Sequence, residues 1–350
     1  MKRNAIAKFI ACALAFGLSG TAMAGPQFYA AINYGESTTS GDNTINYALF
    51  DSANTGDYSP LGTEYGNGEI AGLQLGLRFD NKMFIELSGS RMQLDGTGFG
   101  GNGGTNDCTI QPSAGLISDC FDDAAIGFES EVKSTDLIVG WSFAPNEFWT
   151  LQPYAGLRRV EIEDNRAVDY LYDQLTGGFN DFIVDNSRFK KTGFVLGLRT
   201  ERDFGQFFVS TDFTYSYASG TRIRTIMDTE YSFDEDDDEG SISLPTAITG
   251  RSFKAIPDGA PVTDTETLVT REDISVNQWR ARFAIGHRFK VSANNKLSLS
   301  LGYTLGSVNG FDTRDTNSDV EDEGFTQGSL GNRNARLKTS GFDLTLGWNF

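Results

Sequence analysis

The sequence predicts an all-β chain closed into an up-and-down transmembrane barrel of about ten antiparallel strands, and three observations carry that prediction. The last ten residues alternate, with Phe342, Leu344, Leu346, Trp348 and Phe350 on one side of a period-two strand and Gly341, Asp343, Thr345, Gly347 and Asn349 on the other. Similar segments recur along the chain, separated in turn by long polar stretches and by short turns. Beyond the first residues no apolar run approaches the ~20 residues that a helix needs to cross a bilayer, so a crossing must be made by strands.

At the amino end, Lys2, Arg3 and Lys8 precede an apolar run over 9–18, and Ala22, Met23 and Ala24 follow. This is the charged n-region, h-region and A-x-A cleavage site of a secretory signal. Residues 1–24 are therefore expected to be removed, leaving 25–350 as one barrel domain. Cys12 lies in the apolar run without a lipobox, which argues against a lipid anchor. Removing three of the 29 basic residues leaves 26 against 47 acidic ones, a formal charge of −21. That excess excludes nucleic acid as a partner and argues against adsorption to an anionic surface.

The strands follow in order. Residues 26–36 put Phe28, Ala30, Ile32 and Tyr34 on one face, and 68–80 return through Ala71, Leu73, Leu75, Leu77 and Phe79. Asp80 and Asn81 make a tight turn, and 82–94 leave through Met83, Ile85 and Leu87. Further strands are predicted over 130–144, 147–163, 187–202, 206–220, 273–290, 296–309 and 334–350. Short connections at 144–147, 203–206 and 292–295 alternate with long segments at 93–129, 164–186, 221–272 and 309–333. This is the order of short periplasmic turns and long extracellular loops. The count is ten, or twelve if 225–233 or 265–270 hides another hairpin. Arg158 and Arg159 are adjacent, and Val160 and Ile162 break the alternation before them, so a bulge is predicted there.

Aromatic residues mark two interfaces. Phe79, Phe84, Phe143, Phe148, Trp149, Phe204, Phe207, Phe289, Trp348 and Phe350 flank the short turns, while Tyr34, Tyr215, Tyr217, Trp279 and Tyr303 lie toward the long loops. Ten steps of about 3.3 Å from Phe207 to Tyr217, tilted by about 45°, rise roughly 23 Å, close to the apolar band of about 25 Å in such barrels.

With the greasy side outward, Arg78, Glu86, Asp136, Lys191, Arg199, Asp212, Arg280, Arg282 and Asp343 point inward, and Arg158 joins them from the adjacent pair. Ionisable residues in a spanning segment face a wet cavity or one another. These ten are the candidate pore-lining residues. Either they line a narrow water-filled passage, or they neutralise one another in a nearly filled lumen. Eight strands are just filled by side chains and sixteen leave a channel, so a strand count of ten or twelve decides neither. Inward glycines at 72, 76, 140, 193, 197, 286, 302 and 306 favour the passage.

Catalysis finds little support. Barrel enzymes built on Asp/His or Ser/His arrangements need a histidine at the site, and His287 alternates with Phe283, Ile285 and Phe289 on the lipid face. The acidic runs Asp234 to Glu239 and Asp312 to Glu323 resemble no metal loop: Gly240 comes one place late for an EF-hand and Pro245 stands at its twelfth position. Solvated acidic loops, with no metal and no cofactor, are expected. Cys108 and Cys120, both in one long segment of an exported chain, are expected to form a disulfide.

A final strand ending on an aromatic residue resembles the C-terminal signal of bacterial outer-membrane β-barrels, with Phe350 as the membrane-insertion residue. The resemblance implies an outer-membrane location, assembly by the barrel-assembly machinery, and contact with outer-membrane lipid and lipopolysaccharide. Leu151-Gln152-Pro153-Tyr154-Ala155-Gly156-Leu157-Arg158, preceded by Thr135-Asp136-Leu137-Ile138-Val139-Gly140-Trp141, resembles a hairpin of the pore-forming family typified by the Legionella major outer-membrane protein. The segment 193–220 and the strands after Asp273 are similar in layout, so the likeness runs over 136–350. It implies a pore and carries over no single functional residue. The expected function is a narrow passive diffusion pore for small hydrophilic solutes or ions. The alternative is a non-conducting barrel whose acidic extracellular loops mediate adhesion or recognition.

Overall fold

The computed structural model describes residues 26–40, 44–50, 59–64, 66–101, 110–112, 123–171, 179–232, 262–292, 295–312 and 335–349. The signal segment, Cys108, Cys120, Phe350 and the acidic residues at 234–239 and 313–323 lie outside them.

Thirteen strands form among the described residues: β1 Gln27–Ser40, β2 Thr44–Phe50, β3 Ser59–Glu64, β4 Gly68–Arg78, β5 Met83–Gly101, β6 Ile110–Pro112, β7 Asp123–Trp141, β8 Trp149–Leu171, β9 Phe179–Phe204, β10 Phe207–Ser232, β11 Val262–Lys290, β12 Lys296–Asp312 and β13 Ala335–Asn349. Ten of them close into one antiparallel ring, β1-β13-β12-β11-β10-β9-β8-β7-β5-β4. The seam is β1, where Ile32 pairs with Leu346 on one side and Leu73 on the other. Closure leaves no backbone edge for lipid to meet. β3, β2 and β6 form a separate sheet that ties the connection before β4 to the one after β5.

The outer face carries the apolar band. Leu87, Leu137, Leu157, Leu196, Phe213, Phe283, Ile285, Leu301, Phe342 and Leu344 are all exposed, Ile285 to 66% and Phe342 to 63%. A belt of that kind is stable only against lipid. Its short-turn rim is aromatic, with the Arg202 guanidinium 5.4 Å from the Trp149 ring and 5.0 Å from that of Phe204. At the other rim Phe194 stacks on Tyr217 at 5.9 Å, and Tyr303 meets Phe342 at 4.9 Å.

The short turns are fixed by side chains. Asn146 Oδ1 accepts the backbone N–H groups of Phe148 and Trp149 at 3.0 Å each. Gly205 takes φ 86° and donates its N–H to Asp203 Oδ1 at 2.8 Å. Only glycine adopts that backbone without steric cost.

Two expectations are corrected. The segments suspected of hiding a hairpin pair with each other, Thr225 with Val269 and Asp228 with Glu266, so they extend β10 and β11 and the ring has ten strands. No bulge interrupts β8: Arg158 pairs with Asp136 and Gly193, and Ile162 with Val132 and Phe189, in one continuous register. The strands also run well beyond their predicted long-loop ends. There the two faces no longer differ: Asp123 to Phe128 of β7 are wholly buried, whereas residues 264–273 of β11 are exposed throughout, so alternation disappears from the sequence.

Candidate functional site: the barrel lumen

The lumen is layered. Nearest the short turns it holds a polar chamber of about 510 Å3 that reaches from Lys296 and Asn349 up to Asp136 and Arg282. Strand alternation brings nine of the ten predicted residues to its wall or into the hydrogen-bonded ties above it. The closed ring then joins groups far apart in sequence.

Glu86 of β5 is fully buried and accepts from Arg199 Nη2 at 2.8 Å, from its Nη1 at 2.5 Å, from Tyr29 Oη at 2.9 Å and from Gln74. Arg199 lies 4.8 Å over the Tyr154 ring and also donates to Asp212 at 3.3 Å. Asp212 accepts from Tyr154 Oη at 2.9 Å, and Arg280 stands 3.8 Å away. Arg78 lies over the Tyr29 ring at 5.8 Å. A second tie, Arg282 with Asp343, has Nε donating at 2.9 Å and Nη2 at 2.6 Å, with Thr304 donating to the same carboxylate at 3.0 Å. Arg288 bridges Asp203 and Glu201 beneath the Phe208 ring.

Above the chamber, Arg158 grips Asp136 with two bonds of 2.6 Å. It also donates across the lumen to Ser216 at 3.2 Å and Gln278 at 3.4 Å. Lys191 stands apart from these networks, its methylenes lying across Gly220 of β10. Next comes an apolar layer: Leu94, Val132, Val160, Ile162, Phe189, Ala218, Ile274, Val276, Val308 and Leu337 form one buried cluster drawn from eight strands of the ring. Val160 and Ile162 share the inward face of β8 with Arg158. The break that suggested a bulge is a change in what fills the lumen.

The inward glycines do not hold open space. A Cβ on Gly197 would lie 2.1 Å from Tyr154 Cζ, and one on Gly76 would lie 2.2 Å from that of Tyr29. Rings of Phe84 and Phe208 occupy Gly140 and Gly286 in the same way. Each of these four glycines is the floor under a neighbouring strand's aromatic ring, while Gly72 faces Asn33 and Gly302 faces the Arg282 guanidinium. Those rings were missed as lumen residues. A period-two tyrosine opposite a glycine was the available signal.

Beyond that layer the same cluster continues through Ile126, Phe128, Val168, Ile183 and Ile226, interleaved with charges: Arg224 binds Asp185 bidentately at 2.9 Å and Arg222 meets Glu272 at 2.7 Å. On the outer face of these strands Tyr231 Oη donates to Asp169 at 2.9 Å, and burial pushes the Asp169 carboxyl up to about 6. His287 keeps its predicted outward place, edge-on to Phe207 at 4.8 Å and 4.5 Å from Phe289. Among the described residues no group of carboxylates, cysteines or histidines has the geometry of a metal site.

No protein-family model matches this chain, and no curated protein matches it. Solved structures with a similar course include the outer-membrane protease OmpT from Escherichia coli, at 12% identity and TM-score 0.42 over 93% of this chain and 96% of that one. The Pseudomonas putida toluene transporter TodX is 8% identical, with TM-score 0.31 over 94% and 90%. The Yersinia pestis attachment invasion locus protein Ail is 12% identical, with TM-score 0.23 over 59% and 99%. Identities and scores this low assign no activity.

Proposed function

We propose that the chain is a bacterial outer-membrane barrel that stays closed and acts through its acidic extracellular surface, by adhesion or recognition, without catalysis. One observation carries this reading: the apolar layer that eight strands build across the lumen. Water and ions avoid such a layer, and a narrow apolar constriction closes by dewetting. The cross-lumen ties from Glu86 to Arg199 and from Arg158 to Gln278 act in the same direction.

The polar chamber favours a second reading, in which the barrel is the diffusion pore implied by its resemblance to the Legionella family and the layer is its gate. Single-channel recording of the refolded chain in a planar bilayer separates the two. Silence in preparations proven folded is the expected result. Discrete steps at modest voltage would reject the closed barrel. The acid-rich surface is tested apart from conduction, by binding of the folded protein to immobilised polycationic and polyanionic ligands at low and high salt. Equal binding to both would remove the recognition reading.

A further inference from the structure

Where β5, β7, β8 and β9 emerge from the apolar band, the outward face turns basic. Leu87, Leu137, Leu157 and Phe194 pair side by side as the last apolar row. Immediately beyond them stand Arg159, then Arg91, Lys133 and Lys190, then Arg188. Glu131, Glu161 and Glu163 lie among these five cations. Lys133 reaches Glu163, Arg188 and Lys190 hold Glu161 at 2.8 Å each, and Arg91 and Lys133 both contact Glu131.

The two signs are not equally presented. The carboxylates lie close to the sheet, 11%, 17% and 32% exposed, while Arg91, Lys133, Lys190 and Arg188 stand outermost at 43%, 40%, 36% and 57%. Arg159 is exposed between Thr135 and Thr192 and forms no ion pair among the described residues. In the same rows β10 presents Ser219, Thr221 and Ile223, and β11 presents Ser275, Asp273 and Arg271, so those two strands add no net charge. The basic face is therefore confined to one side of a strongly acidic chain.

We infer that this face docks the phosphate head group of a phosphorylated glycolipid in the outer leaflet. Position selects that occupant: the acyl chains lie along Leu137, Leu157 and Phe194, which brings the head group level with Arg159, Lys133 and Lys190. Four adjacent strands span roughly 14 Å, wide enough for a disaccharide-sized head group. The outward cations supply charge-assisted donors, and the acids beneath them hold those side chains in place. The overall negative charge argued against an anionic surface, but its largest runs lie in the loop sequences, whereas this face is locally cationic and sits at the membrane boundary.

The test is native mass spectrometry of the refolded chain in detergent, with bis-phosphorylated lipid A, the same lipid after phosphate removal, and inorganic phosphate as probes. Preferential binding of the phosphorylated lipid is expected. The triple variant Lys133→Gln, Arg159→Gln, Lys190→Gln should weaken it by at least about ten-fold. Lys338→Gln, on β13 across the ring, should leave it unchanged. If the triple variant does not fold, Arg159→Gln alone, which breaks no described ion pair, should still weaken binding. Equal binding of dephosphorylated lipid, binding of inorganic phosphate as tight as that of the lipid, or unchanged binding by the variants would each overturn the proposal.

Discussion

Glu86 shows how a single buried charge is tolerated inside a membrane-spanning wall. It has no contact with water, yet four donors reach it from β1, β4 and β9. Breaking one partner of such a buried pair costs about 3 kcal/mol, because the other charge stays desolvated. Glu86→Gln should lose that much in a urea titration of the refolded barrel, with Arg199→Gln similar and the double variant well short of the sum. Both residues were legible from strand period as inward groups. Their meeting was not, since 113 residues separate them and only closure of the ring brings them together. Asp169 behaves oppositely. Its carboxyl is raised from 3.8 to about 6 by burial, so the folded state holds a proton that the unfolded chain has released within that window. Stability is greatest below the lower value and falls as pH rises toward the higher, by up to about 3 kcal/mol. Denaturant melts from pH 4 to 7 should show this decline, and Asp169→Asn should flatten it.

At the scale of elements, outward alternation is what the sequence states most clearly, and it is clear only where one face meets lipid. The predicted ends of β10 and β11 at 220 and 273 coincide with the place where that condition lapses, although the pairing continues to Tyr231 and Val262. The sheet of β2, β3 and β6 was invisible for a related reason: its strands are short and draw on two different connections. Inward glycines misled in another way. A missing side chain was taken as space, whereas Gly197 lies under Tyr154, whose hydroxyl anchors Asp212. Turn glycines are simpler. A Cβ on Gly205 meets nothing within 4 Å, so Gly205→Ala should cost only the strain of φ 86°, about 1 kcal/mol, with no change in the barrel's circular dichroism.

For the whole molecule the question is what closes the lumen, because the polar chamber and the apolar layer give opposite answers when taken alone. Charged walls suggest a passage, and nine of the ten predicted residues do gather in or just above the chamber. Of the decisive residues, Val160 and Ile162 were read as a bulge because they broke the alternation set lower on the same strand, and Phe189 and Val276 drew no reading at all. A ten-stranded barrel is narrow enough that one turn of apolar side chains from each wall meets in the middle. If that layer is the seal, Ile162→Ser with Phe189→Ser should breach it, since the two residues pair across β8 and β9 and vacate one continuous volume. The double variant should lose several kcal/mol, of the order of 4 for a large core deletion, and should conduct in discrete steps where the unaltered barrel is silent. A folded double variant that remains silent would move the seal down to the Arg158 and Asp136 tie. Substituting Asp136→Asn in that background would then be the variant expected to open.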